Sequence, residues 1–149
     1  MAGRGRPILA KMHNRHSLKR MVRTRNMELK ELLGKTLTEA TGKNGDDEII
    51  FKTAEGKTYK MYHSQDCCES VRVEDICGDM ADLVGSPITQ ADEETNREKD
   101  PDGYKREYPP ESMTWTFYRL ATAKGQVVIR WLGESNGYYS EGVDFEEVS

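Results

Sequence analysis

Aromatic and cationic side chains gather in the final stretch of the chain, Met113–Ser149. Both tryptophans, Trp115 and Trp131, lie there with Phe117, Tyr118, Tyr138, Tyr139 and Phe145, and Arg119 and Arg130 stand among them. Aromatic faces stack on planar groups, and a guanidinium's flat fork takes a carboxylate or phosphate through two parallel bonds. The segment Gly133–Ser140 follows the Arg130 strand directly. It adds the Ser135 hydroxyl, the Asn136 amide, exposed backbone and the phenols of Tyr138 and Tyr139. That mixture suits a ribose or a purine. The opposing reading is a hairpin turn whose tyrosines pack against a sheet, and the residues alone leave the two open.

Other reactive groups carry weaker signals. His63, Asp66, Cys67 and Cys68, with Cys77 later, invite a metal. Zinc knuckles space their cysteines by two to four residues, however, and adjacent side chains on an extended chain point to opposite sides. A cysteine nucleophile with His63 as its base has only proximity in sequence behind it. Core packing for one cysteine and a turn organised by His63 and Asp66 is the preferred reading. The acidic pairs Asp46-Asp47, Glu93-Glu94 and Glu146-Glu147 read as solvated surface. No phosphate loop, dinucleotide fingerprint, serine elbow or HExxH stands in the chain. No catalytic residue, metal ligand or cofactor is assigned.

The elements that would position the aromatic and arginine residues are mostly strands. Val127, Ile129 and Trp131 alternate with Val128, Arg130 and Leu132, so apolar groups fall on both faces. This predicts a central strand, with Arg130 partnered by a carboxylate or an anionic ligand. Strands are predicted over Met113–Ala123, Gln126–Gly133 and Glu141–Val148, with a tight turn at Lys124-Gly125. Upstream, Glu48–Thr53 and Thr58–His63 form a hairpin across Ala54–Lys57. Thr36–Ala40 is a further strand, ending at a turn that holds Asn44-Gly45. Leu29, Leu32 and Leu33 mark a two-turn helix capped by Gly34. Val71–Val73 reads as strand, and Asp75–Val84 as a short helix or turn stopped at Gly85. Ile88–Ala91 begins another strand. Asp92–Ser112, polar and bounded by prolines, reads as a long loop that is mobile or functional. The expected fold class is α+β: an antiparallel sheet of about five to seven strands with one or two short helices. No internal repeat is visible.

Charge divides the chain in two. Eight of the 22 basic residues precede Glu28, where there is no acid; the remaining 14 face all 26 acidic residues, a balance of −12. Residues 1–26 therefore read as a basic extension and residues 27–149 as one α+β domain. Three readings of the extension compete: a disordered tail, a nucleic-acid-contacting arm, and an upstream artefact with Met27 as the native first residue. An acidic body repels nucleic-acid polymers, so the second is not favoured, and a small anion would need a local basic pocket. Three cysteines with no secretory signal read as reduced thiols. No apolar run approaches the roughly 20 residues of a membrane helix. A soluble intracellular protein is expected.

Two long blocks carry a resemblance. YHSQDCCESVRVEDICGDMADLVGSPI (62–88) and WTFYRLATAKGQVVIRWLGESNGYYSEGVDFE (115–146) resemble a widespread family of small phage proteins. The similarity runs from Met27 to Val148, with Gln65–Ser70 and Asn136–Ser140 its most distinctive words; Asp92–Ser112 is the variable part, and the basic arm lies outside the pattern. The family includes the first type of Thoeris anti-defence protein, oligomeric sponges for the cyclic ADP-ribose signal of bacterial TIR-domain enzymes, with members that bind cyclic oligonucleotides of CBASS defence. The resemblance implies a homo-oligomer in the cytoplasm of an infected host that binds a cyclic nucleotide without cleaving it. On that reading Arg130 and Arg119 meet phosphates, and Trp115, Phe117, Tyr138 or Tyr139 stack on adenine. Ser135 and Asn136 then bond sugar or base. The alternatives are an enzyme that degrades such a signal through His63 and a carboxylate, and a small DNA- or host-protein-binding module.

Overall fold

A computed structural model describes residues 27–148. The readings of residues 1–26 lie outside them. Eight strands build two four-stranded antiparallel sheets among the described residues. The first has the order β1 (Leu37–Thr41), β2 (Glu48–Thr53), β3 (Thr58–Tyr62), β8 (Asp144–Glu147). The second has the order β4 (Ser70–Cys77), β7 (Gly125–Ser135), β6 (Ser112–Thr122), β5 (Gln90–Asn96). The expected antiparallel sheet is present. The α+β class is corrected to mainly β, because the helical part consists of two four-residue 3-10 turns, Leu29–Leu32 and Met80–Leu83.

Both corrections have local causes. An α-helix would have put Leu29, Leu32 and Leu33 on one face. A 3-10 turn eclipses residues three apart, so Leu29 and Leu32 are buried while Leu33 stays 48% exposed. Gly34, at φ +82, then ends the turn after too few residues to sustain an α-helix. The segment expected to form a short helix or turn from Asp75 instead continues β4 to Cys77, and only Met80–Leu83 turns, with the Ala81 amide capped by the Asp79 carboxylate.

The two sheets share one core. Ile49, Phe51, Tyr59, Met61 and Phe145 from the first meet Val73, Tyr118, Leu120, Val127, Ile129 and Trp131 from the second. The Trp131 indole N–H donates to the Met61 sulfur at 3.3 Å, within that core. Burial follows the strand period in β6, where Thr114, Thr116, Tyr118, Leu120 and Thr122 are buried on the inner face. The Gly45 and Gly56 turns, with φ near +90, close the β1–β2 and β2–β3 connections as expected.

β5 is longer than expected, running to Asn96 along β6 and shortening the connection to residues 97–111. Its sequence, QADEETN, buries only Ala91. It is an edge strand made of acids, which protects the sheet from further pairing and hides its periodicity. Among the described residues no helix is long and apolar enough to cross a membrane.

Candidate functional site

The outer face of the second sheet collects the arginine and aromatic residues. On β6 the positions alternating with the inner threonines and Tyr118 are Met113, Trp115, Phe117 and Arg119; on β7 they are Val128, Arg130, Leu132 and Glu134. Four predicted residues, Trp115, Phe117, Arg119 and Arg130, thus share one surface. The Trp115 and Phe117 rings stack, 6.0 Å apart and 10° from parallel. The Arg130 guanidinium lies 5.9 Å from the Trp115 ring and that of Arg119 lies 6.0 Å from Phe117.

Arg130 has its carboxylate, and the chain supplies it. Asp75 accepts Nε–H and Nη2–H at 2.6 Å each, a bidentate pair, and its presence pushes the Arg130 pKa further up. The cause is a bulge in β4. The register skips Glu74, so Val73 faces Trp131 while Asp75 faces Arg130. Without that extra residue, Asp75 would point into the core. Arg119 pairs with Glu94 on neighbouring β5 at 2.9 Å, but their side chains are 36% and 58% exposed. Such a pair contributes about 0–1 kcal/mol and is easily exchanged for another anion.

Residues 97–111 fold back over this face and make a small second core on Trp115 and Leu132, both completely buried although they point away from the main core. Tyr104 packs edge-on against Trp115 at 5.0 Å. Asp100 accepts from the Trp115 indole N–H at 2.9 Å and from Arg106 through both carboxylate oxygens, at 2.7 and 3.0 Å. Arg106 also donates to Glu134, which takes a further bond from Arg72 at 3.1 Å. The Arg106 bonds hold the Asp100 carboxyl below its usual pKa, against the opposing effect of burial, with help from the indole N–H. The loop is therefore an ion-paired strap. Asp75, Glu94, Asp100, Tyr104, Arg106 and Glu134 were missed from sequence because each looked like ordinary surface polarity. The one available sign was the step from Val71 and Val73 to Ile76, which breaks period two where the bulge lies.

The predicted turn stands apart from this face. The Ser135 hydroxyl accepts from the Gly137 amide at 2.9 Å and donates to Glu141, a buried carboxylate that also takes a bond from the Thr114 hydroxyl at 2.7 Å. Asn136 accepts from the Tyr138 amide at 2.9 Å, as short polar side chains do in turns. Both side chains are thus engaged in building the turn. Tyr138 is 82% exposed and does not pack into the sheet; it meets the half-buried Tyr139 edge-on at 5.0 Å. Among the described residues no hydrogen bond, ion pair or ring contact joins this turn to Trp115, Phe117, Arg119 or Arg130. A shallow open depression of about 490 Å³ near Leu33, Lys35 and Glu55 involves none of the eight predicted residues.

The Gln65–Ser70 block has its own organisation. Glu69 is buried and accepts from the Asp66 and Cys67 amides at 2.8 and 3.0 Å, with His63 Nε2 at 2.7 Å. Burial alone would raise its pKa. The bond from His63 and those from the Cys67, Asp66 and Glu69 amides together outweigh that and hold it at about 2. His63 Nδ1 contacts the Gly142 carbonyl at 2.8 Å, so both ring nitrogens are engaged and the ring is 4% exposed. The expectation of three reduced thiols is corrected here. Cys67 and Cys68 are joined in a disulfide, and Cys77 alone is free and exposed. The argument from an extended chain fails because this segment turns around the Glu69 carboxylate. Among the described residues no group of three or more His, Cys, Asp or Glu is placed to hold a metal.

No curated protein and no solved structure matches the chain. A family model described as a domain of unknown function (DUF7448) matches residues 30–145, from the first 3-10 turn into β8 and so across every element that builds the aromatic–arginine face. The chain belongs to the DUF7448 family.

Proposed function

We propose that this protein binds and sequesters a cyclic nucleotide immune signal, glycocyclic ADP-ribose or a CBASS cyclic oligonucleotide, without cleaving it, as a phage anti-defence protein in the host cytoplasm. The observation that carries the reading is the shared face of Trp115, Phe117, Arg119 and Arg130. A partly exposed ring beside a guanidinium group takes a base and a phosphate at once, and Phe117 and Arg119 are that pair on this face. The resemblance of the 62–88 and 115–146 blocks to nucleotide sponges supports it independently.

The geometry redistributes the roles within that reading. Phe117 and Arg119 form the open half of the face; Arg119 lies against the Phe117 ring and makes an exposed ion pair with Glu94. They are the contacts for a base and a phosphate, with Tyr138 and Tyr139 a second aromatic group. Trp115 and Arg130 form the covered half and hold the open half in position. The acidic body favours a homo-oligomer in which arginines from two copies converge on one dianion. Binding without turnover is supported at His63, whose two nitrogens both have partners and whose ring is shielded from a substrate.

The test is a calorimetric titration of Phe117→Ala and Arg119→Ala with glycocyclic ADP-ribose and with a cyclic trinucleotide. Each variant should lose about tenfold or more in affinity for the true ligand while its melting temperature stays within a few degrees of the parent. Unchanged affinity in both removes the face from the site.

A further inference from the structure

We propose that Cys67 and Cys68 form a reversible redox site that exchanges with low-molecular-weight thiols, cycling between an intrachain disulfide and a vicinal dithiol. Three observations carry it, none depending on the nucleotide reading. The two sulfurs are joined across adjacent residues, and both residues are exposed, so an external thiol has access.

The turn is also held by bonds that do not involve sulfur. Glu69 clamps the Asp66 and Cys67 amides, and the Gln65 amide donates to the Glu69 carbonyl at 2.8 Å. These bonds survive reduction and keep the two sulfurs on one side of the turn, ready to close again.

The disulfide, finally, is not a structural staple. A crosslink stabilises by restricting the unfolded chain, and the effect grows with the length of the loop it closes; here the sequence separation is one. Opening it therefore costs the fold little, which a reversible site requires. Cys77 lies on the outer side of β4, opposite Val128, and takes no part.

The chemistry balances with a thiol as the named reductant. A thiolate attacks one sulfur, the Cys67–Cys68 bond breaks, a mixed disulfide forms, and the departing sulfur takes a proton. A second thiol displaces the first as a small disulfide. Two electrons and two protons end on Cys67 and Cys68, and two external thiols become one disulfide. The same bonds tie the site to the next segment. Cys67 is linked through the Glu69 carboxylate to His63, and His63 to the Gly142 carbonyl just beyond the tyrosine turn.

The experiment uses the full chain carrying Cys77→Ser, which removes the other exposed thiol. The protein is equilibrated at a series of ratios of reduced to oxidised glutathione, quenched with acid, alkylated with maleimide and weighed intact. The expected result is two species, one with two maleimides and one with none that is lighter by two hydrogens. Their proportions should follow the glutathione ratio in both directions with an unchanged circular dichroism spectrum. Two maleimides at every ratio, a dominant stable glutathione adduct, or oxidation that unfolds the chain overturns the proposal. Adding Cys68→Ser in that background should divert oxidation to a single glutathione adduct on Cys67. A Cys67 thiol that stays fully alkylatable there overturns it as well.

Discussion

Replacing Arg130 by alanine separates a structural arginine from a ligand-binding one. The Arg130–Asp75 pair is bidentate, with side chains 25% and 30% exposed. Exposed pairs are worth about 0–1 kcal/mol, and breaking a buried one costs about 3–5 kcal/mol because a charge is stranded. At this intermediate burial about 2 kcal/mol is expected, and losing the guanidinium beside the Trp115 ring adds about 0.5 kcal/mol. Arg130→Ala should therefore cost about 2–3 kcal/mol, a fall in Tm of about 5–10 °C for a domain of this size. Urea unfolding followed by circular dichroism measures it. Adding Asp75→Ala to Arg130→Ala should recover about 1 kcal/mol or more, because the stranded carboxylate is gone. A single-variant change below about 0.5 kcal/mol, or no recovery in the double variant, would refute the structural role and return Arg130 to the list of free cations.

Two further substitutions probe the frame around the site. Glu69→Gln should lower stability at neutral pH, and the gap to the parent should close on acidification. The folded carboxyl is held at about 2 against an ordinary 4.5, so its contribution is complete above about pH 4.5 and is lost as pH falls through 2. Urea melts over that range should show the gap shrinking, and a constant gap contradicts the assignment. Gly133→Ala should cost about 2–3 kcal/mol, since a Cβ there would stand 2.5 Å from the Glu141 carbonyl oxygen and 2.8 Å from its Cβ. An unchanged Tm would show that the 141 segment moves freely.

The strand content was legible because β2 and β3 flank a short turn, because Val127–Leu132 carries apolar groups on both faces as a central strand does, and because Asn44-Gly45 marks its turn. The helices were not, since three leucines in five residues fit an α-helical and a 3-10 face until the exposed Leu33 decides between them. β5 escaped because an acidic edge strand carries no apolar period. At the site, placing Trp115, Phe117, Arg119 and Arg130 together follows from strand parity, which sequence does reveal. Their partners do not, because Asp75 reaches Arg130 through a bulge and Asp100 and Arg106 arrive from a loop. Cys67 and Cys68 were misjudged because their orientation depends on a turn wrapped around a buried carboxylate.

The central claim, nucleotide capture without chemistry, is tested most directly by titrating the purified protein with glycocyclic ADP-ribose, then denaturing it and weighing the released nucleotide. The account predicts saturable heat and recovery of the intact cyclic molecule after prolonged incubation. No heat with that ligand or with cyclic oligonucleotides, or recovery of a cleaved product, would contradict it.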